Sequence, residues 1–469
     1  MNDLILILPE IFLSLSIMLI LMIGVFFKNR ENFVYQSSLL VLLITLLLII
    51  NNNYSENLYL FNGTYKIDLL SKIMKCLTII SAFFIILSSH EYVKTIGINK
   101  IEYPTLIISS ILGMLVMISA YDLMVFYIGL ELQSLSLYVL ASFNRDNKNS
   151  SEAGLKYFVL SALSSGLLLY GCSLIYGFTN STKFAEIAIN LDISNFGSIF
   201  GIVFIIVGLA FKVSAVPFHM WAPDVYEGSP TSVTSFFSIV PKIAGLTVFI
   251  RFLYVPFINV IIQWQFIIIF ISIASMILGS IAAIGQNNIK RLVAYSSIGH
   301  IGFILAGLST ATNNGIQNSI IYLVIYGIMN LGLFSCIFLL KRKNIYYENL
   351  DDLSGMSKNH PLLSLSMLIF LFSLAGIPPL AGFFAKFYIF ISVIESKMYF
   401  LAIIGLLTTV VSAFYYLRII KIIYFDDPKE AFEFTNNYGL KITLTISSIL
   451  ILTYFIYPSL LIKLITDIN

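Results

Sequence analysis

The chain has 469 residues, of which 58% are hydrophobic and only 11% charged, where a soluble domain has about 25% charged residues. With a mean hydropathy of +0.93, this composition excludes a soluble globular domain and reads as an integral membrane protein. The net charge of +3 is too small to argue for an acidic partner or for nucleic acid.

A helix that crosses the hydrocarbon core needs about 20 mainly apolar residues. About fourteen such segments follow one another, at 4–27, 33–50, 69–89, 104–120, 122–143, 155–178, 197–221, 230–253, 263–285, 292–309, 316–340, 361–391, 398–424 and 440–463. They lack strict alternation, and lipid admits only helices or closed barrels, so strands are not expected. Asp3 and Glu10 precede the first apolar run, where a cleavable signal carries positive charge, so the first segment reads as a retained helix. Cys76, Cys172 and Cys336 lie far apart in apolar stretches without a C-x-x-C, which points to core thiols and to neither an iron–sulfur cluster nor a zinc site.

The connections are short, and none has room for a nucleotide-binding or redox domain. No G-x-G-x-x-G or Walker A pattern occurs, so energy must come from an ion gradient or a partner. Of the 27 Lys and Arg, sixteen fall on the side of the odd-to-even connections, among them Lys28, Arg30, Lys148, Lys290 and the run Lys341–Lys343; seven, including Lys75 and Arg251, fall on the other. The richer side should be cytoplasmic, which places both termini outside.

The remaining four basic residues, Lys212, Lys242, Lys386 and Arg418, lie within apolar segments, joined by one carboxylate, Glu131. A charge at the centre of a bilayer helix costs roughly 2.5–3.5 kcal/mol on insertion scales, and such residues mark ion or proton paths by default. Glu131 stands mid-segment in FYIGLELQSLSLYVL. A lone buried carboxylate goes neutral unless a cation is near, and Lys212 or Lys242 is the candidate; a static structural ion pair is the bland reading.

Lys212 lies in GLAFKVSAVPFHMWAPD, where Pro217 and Pro223 remove backbone donors, so the helix should break just after Lys212. Transporters use broken helices at membrane depth for ion sites; a proline kink with a snorkelling lysine is the alternative. Lys242 follows Pro241 near the middle of its segment, with no short snorkelling route. His300, in KRLVAYSSIGHIGF, suits a proton relay or a hydrogen-bonded structural role, and Ser296 and Ser297 beside it are placed to hold water. Lys386 lies in AGIPPLAGFFAKF, where Gly376, Pro378, Pro379 and Gly382 again interrupt the run.

Arginine does not readily deprotonate, so Arg418 reads as a fixed charge. His219, beside Trp221 and Asp224, reads as structural, and Glu152 with Lys156 as a surface i,i+4 pair. Burial disfavours a charged lysine and a nearby carboxylate favours it, so moving a charge near such a pair could load or empty it.

The two breaks fall in the seventh and twelfth segments, five apart. That spacing implies two inverted five-helix repeats, 104–253 and 263–424, flanked by three helices over 1–103 and a last one over 425–469. The expected fold is therefore an all-α polytopic membrane protein of about fourteen helices, with the seventh and twelfth broken.

At these residues the chain resembles a known family. FYIGLELQSLSLYVL, FKVSAVPFHMWAPDVYEGSPTSVT, VPKIAGL, KRLVAYSSIGHIGF and GIPPLAGFFAKF are similar to the antiporter-like membrane subunits of proton-pumping NADH–quinone oxidoreductase, respiratory complex I. Nearly the whole chain is covered, and 211–234 is the most specific stretch. The N-type branch is the nearest, because the M-type carries glutamate where this chain has Lys386, and the L-type continues into a long lateral helix.

The resemblance implies that Glu131 and Lys212 form the Glu–Lys pair of a first half-channel, that Lys242 connects, and that His300 and Lys386 serve the second half. It implies a translocase subunit in a bacterial inner membrane, partnered by other membrane-arm subunits and acting on the quinone pool indirectly. The chain itself would hold no cofactor, with NADH, FMN, iron–sulfur clusters and quinone on partner subunits. A multisubunit cation/proton antiporter is the competing family, since it shares the Glu–Lys core.

Overall fold

The computed structural model describes residues 2–27, 31–52, 57–192, 195–433 and 437–466; Lys28 and Arg30 lie outside them. The described part is built from α1 (Leu8–Phe26), α2 (Glu31–Asn51), α3 (Leu69–Thr95), α4 (Glu102–Ser119), α5 (Leu123–Ala141), α6 (Lys148–Thr179), α7 (Phe196–Lys212) and α8 (Trp221–Gly228). Then follow α9 (Thr231–Tyr254), α10 (Ile261–Ile284), α11 (Ile289–Ser309), α12 (Asn313–Ile337), α13 (Pro361–Ala375), α14 (Ala381–Glu395), α15 (Tyr399–Phe425) and α16 (Tyr438–Thr453). Eleven helices are long and apolar enough to cross a membrane, and α7, α13 and α16 are shorter apolar ones.

Each of the fourteen expected segments carries helix, and the seventh and twelfth are split, into α7 with α8 and α13 with α14. Polar residues before the apolar runs set several starts by accepting from otherwise unpaired first-turn amides. Asp68 and Ser71 form a capping box on α3, Asp122 caps α5, Asn288 caps α11 and Thr312 caps α12.

The structure corrects the sequence reading in three places. Short strands do occur, but only in connections: β1 (Leu58–Leu60) pairs antiparallel with β2 (Tyr65–Ile67), and β3 (Lys341–Arg342) with β4 (Ile345–Tyr346). The last segment is not one helix, because α16 stops before Pro458 and a short helix resumes over Ser459–Thr466; proline cannot continue a helix. Finally, Lys290, which the segments leave in a connection, lies within α11; it is buried and ion-paired to Glu348 at 2.7 Å, as Lys75 and Arg251 within their segments are to Glu10 at 2.5 Å and Asp68 at 2.6 Å.

Two helix pairs approach closely and start the two stretches read as repeats. At α4 against α5, a Cβ on Gly113 would fall 2.5 Å from the Gln133 amide nitrogen. At α10 against α11, a Cβ on Gly279 would fall 2.5 Å from the Gly299 amide nitrogen. Both contacts therefore require glycine, a common device for close helix packing in membranes. At the centre stands α9, the only helix among the described spans that is buried along its whole crossing window.

Candidate functional site

The chain turns sharply between α7 and α8. Ser214 adopts a left-handed backbone with φ +60°, and the Ser214 and Ala215 amides bond back to the carbonyls of Phe211 at 3.0 Å and Ala210 at 2.8 Å. Trp221 Nε1 donates to the Phe211 carbonyl at 2.9 Å, and the Val216 amide donates to Ser275 Oγ of α10 at 2.9 Å. The polar groups freed by the break are thus satisfied within the protein, the condition for irregular backbone at membrane depth.

Lys212 is the last residue of α7. Its Nζ donates to Ser134 Oγ of α5 and to Ser161 Oγ of α6, both at 2.8 Å. Tyr138 Oη also donates to Ser161, at 2.6 Å. Glu131 lies one turn before Ser134 on α5, and no direct ion pair joins it to Lys212 or Lys242; its Oε1 is buried without a protein partner. The expected pair is therefore separated, with a serine hydroxyl on the lysine.

From Lys212 a file of aromatic rings leads inward. Tyr138 packs edge-on against Tyr157 at 5.0 Å, Tyr157 stacks on Trp221 at 4.5 Å, and Trp221 meets Tyr226 at 6.3 Å. Lys242 follows, 1% exposed, its Nζ 5.7 Å from the Tyr226 ring and 5.8 Å from the Tyr326 ring. That ammonium position has no hydrogen-bond acceptor from the protein. Two aromatic faces stand in for one, a geometry that attracts a cation.

Tyr326 in turn packs 5.3 Å from the His300 ring. His300 is 4% exposed and holds two hydroxyls, Tyr322 Oη at 2.7 Å from Nδ1 and Tyr416 Oη at 3.2 Å from Nε2. Tyr416 also bonds Ser296 Oγ, while Ser297 donates to the Ala294 carbonyl at 2.6 Å. With a hydroxyl on each nitrogen, a neutral imidazole can take a proton at one and release one at the other. Beyond it, Phe303 stacks on Tyr322 at 6.1 Å, and Lys386 Nζ lies 5.4 Å from the Phe303 ring.

Lys386 sits on α14, past the second break, where Gly376 has φ +88°. Its Nζ donates to the carbonyls of Leu374 at 3.1 Å and Ala375 at 2.9 Å, the free carbonyls at the end of α13. The negative end of a helix dipole therefore faces this ammonium.

The whole arrangement runs Glu131, Lys212, Lys242, His300, Lys386, the last four next to hydroxyls or aromatic faces supplied by neighbouring helices. Residues 120–412, which span the entire array, match the membrane family described as NADH:quinone oxidoreductase/Mrp antiporter, TM. The chain belongs to this family. It is 66% identical to the NADH-quinone oxidoreductase subunit N of Pelagibacter ubique (strain HTCC1062) over 469 residues, covering 100% of both chains. It is 52% identical to the subunit of that name from Parvibaculum lavamentivorans over 460 residues, 97% of this chain and 95% of the relative. A chain in the structure of respiratory complex I from Thermus thermophilus with bound aureothin superposes with a TM-score of 0.83 at 27% identity, covering 98% of this chain and 99% of that one.

As a member of this family the protein is multi-pass and membrane-embedded, and its remaining charges sort by partner. Arg418 donates to the Ile284 carbonyl at 3.0 Å and to Asn287 Oδ1 at 2.9 Å, so it caps α10 as a fixed charge. Lys156 pairs with Glu152 at 2.7 Å, as expected, and also with Asp224 of α8 at 2.8 Å. Asp224 in turn takes Arg291 of α11 at 3.1 Å, tying α6, α8 and α11 together. His219, between α7 and α8, is buried.

The sequence reading missed the hydroxyl and ring partners: Ser134, Ser161, Tyr226, Tyr322, Tyr326 and Tyr416. Only Ser296 and Ser297 were marked by their neighbour. The others lie from 16 residues (Tyr226 from Lys242) to 120 residues (Tyr416 from Ser296) from the groups they contact, beyond any local spacing signal.

Proposed function

We propose that this chain is the N-type, proton-translocating membrane subunit of a bacterial NADH–quinone oxidoreductase. The observation that supports it best is the line of titratable groups inside the helices, Glu131, Lys212, Lys242, His300 and Lys386, with serine and aromatic side chains beside the last four. Glu131 and Lys212 load a proton in the first half, Lys242 receives it at the centre, and His300 passes it toward Lys386. Every step moves one proton between an oxygen or nitrogen donor and a neighbouring acceptor, and no electron changes place in this chain.

The energy comes from quinone reduction in partner subunits of the membrane arm and its attached domain, which hold NADH, FMN, iron–sulfur clusters and quinone. Residues 104–253 and 263–424 form two inverted five-helix repeats. The matching glycine contacts at Gly113 and Gly279 and the two helix breaks favour this division, with 1–103 and 425–469 as flanking helices. Both termini face the outside of the inner membrane, a reading carried by the uneven Lys and Arg of the connections.

Isolation from native membranes tests the assignment. Co-purification with NADH–quinone reductase activity is expected, and isolation with antiporter subunits and no flavin would overturn it. In the assembled complex, Glu131→Gln and Lys212→Ala should each lower the number of protons moved per electron; full pumping by either would remove that residue from the path.

A further inference from the structure

The central helix α9 carries Lys242, and each of its ends is closed by an ion pair whose acid comes from a connection bearing a hairpin. At its C-terminal end, Arg251 Nη1 and Nη2 donate to the two carboxylate oxygens of Asp68, each at 2.6 Å. Lys66 Nζ stands 3.3 Å from the same carboxylate, and Asp68 also accepts from the Ser71 amide at 2.9 Å. Burial pushes the Asp68 carboxyl up, but the Arg251 guanidinium and then Lys66 outweigh it and hold the group well below the usual carboxylate range. Asp68 therefore stays ionised at physiological pH and works as a pin.

The N-terminal end is built differently. Glu348, just after β4, accepts from Lys290 Nζ at 2.7 Å, from Thr231 Oγ1 at 3.2 Å and from Asn288 Nδ2 at 3.4 Å. One ammonium replaces the two-pronged guanidinium. The Glu348 side chain is 27% exposed, against 9% for Asp68. This acid touches both solvent and the interior.

Inward of Glu348 the lining is polar. Lys290 Nζ also donates to the Ser229 carbonyl at 3.0 Å, and Thr234 Oγ1 donates to the Tyr226 carbonyl at 2.9 Å. Ser229 Oγ, Tyr326 Oη and Lys242 Nζ are all buried without a protein partner. Such groups are rare in folded proteins; Ser229 stands two residues before Thr231 and the Tyr326 ring lies 5.8 Å from Lys242 Nζ, so they mark the two ends of the stretch of α9 from Thr231 to Lys242, about 16 Å long at 1.5 Å per residue.

We propose that Glu348 is a second proton-loading residue for Lys242, beside the supply through Lys212, with Lys290 as the counter-ion that pairs with it again; this rests on the proton-translocating reading above. The Glu348 carboxylate binds one proton from bulk water and releases its ion pair with Lys290. The proton passes along the hydroxyl-lined stretch to the Lys242 amine, which becomes an ammonium. Glu348 returns to carboxylate and pairs with Lys290 again. One proton is taken up and one delivered, and nothing is oxidised.

The test compares Glu348→Gln, Glu348→Asp and Lys242→Met in the whole complex reconstituted in vesicles, reading protons moved per electron. Glu348→Gln keeps the side chain's shape and should retain electron flow while losing protons per electron, with recovery in Glu348→Asp. Normal pumping by Glu348→Gln together with loss in Lys242→Met would overturn the loading role alone. Normal pumping by both would overturn the underlying reading as well. Equal loss in Glu348→Gln and Glu348→Asp would mark a structural plug and also overturn the proposal. If Glu348→Gln does not assemble, the double change Glu348→Gln with Lys290→Gln replaces the ion pair by an amide pair. Assembly with a lowered ratio supports the proposal, whereas failure to assemble or an unchanged ratio contradicts it.

Discussion

The two broken helices look alike in sequence but hold their lysines in different ways. Lys212 ends the first half of its pair and reaches outward to two serines on other helices. Lys386 belongs to the second half of its pair and reaches back across the break to the last carbonyls of the first half. The first lysine is thus tied to α5 and α6, so movement of either can change its partners. The second is tied to its own break and to a helix dipole, a fixed environment. This asymmetry fits a responsive site at one end of a proton file and a terminal holding site at the other.

The largest effect should come from replacing Lys212 with arginine. Charge is kept, yet arginine does not release its proton, so translocation should fall by about 100-fold or more, the scale of losing an acid–base group. Flux measurements on reconstituted complex check this, and near-normal flux would leave Lys212 only an electrostatic role. Next is the double change Ser134→Ala with Ser161→Ala. A hydrogen bond to a charged group contributes about 1.5–3 kcal/mol, so the pair should impair pumping strongly, whereas no mutation of neighbouring helices reaches Lys386 in the same way. Equal pumping in the double variant would erase the contrast between the two lysines.

Gly376→Ala sharpens it from the other side. A Cβ there would lie 3.0 Å from Lys386 Cδ and 3.2 Å from its Nζ, at φ +88°. The left-handed backbone alone should cost about 1–2 kcal/mol, visible as a lower thermal midpoint, and Lys386 must shift as well. Ser214→Gly, at the equivalent left-handed position of the first break, should be neutral or slightly stabilising. The smallest effect is expected for Arg418→Leu. It removes two hydrogen bonds at the end of α10 and should cost about 1 kcal/mol of stability with pumping per electron unchanged.

Much of this was legible from the chain. Apolar runs announced the helices, and prolines at 217, 378 and 379 announced both breaks, because a missing backbone donor is a local property. The isolated charges stood out because lipid makes them expensive. Their partners did not, since Ser161 is 51 residues from Lys212 and Tyr416 is 116 from His300. Charge alone left Lys212 or Lys242 as the partner of Glu131, and the resemblance implied Lys212; the serines that hold Lys212 follow from how α5 and α6 pack. Asp68 and Glu348 were not singled out in the sequence, because only tertiary packing brings them against the ends of α9.

Lys242 offers the most direct test of the proton file. Its Nζ holds no hydrogen bond from the protein, so Lys242→Met removes a titratable group without breaking a hydrogen bond. In vesicles containing the assembled complex, the expected result is continued electron transfer to quinone with a clear loss of protons moved per electron. An unchanged ratio would contradict a path through the centre of this chain.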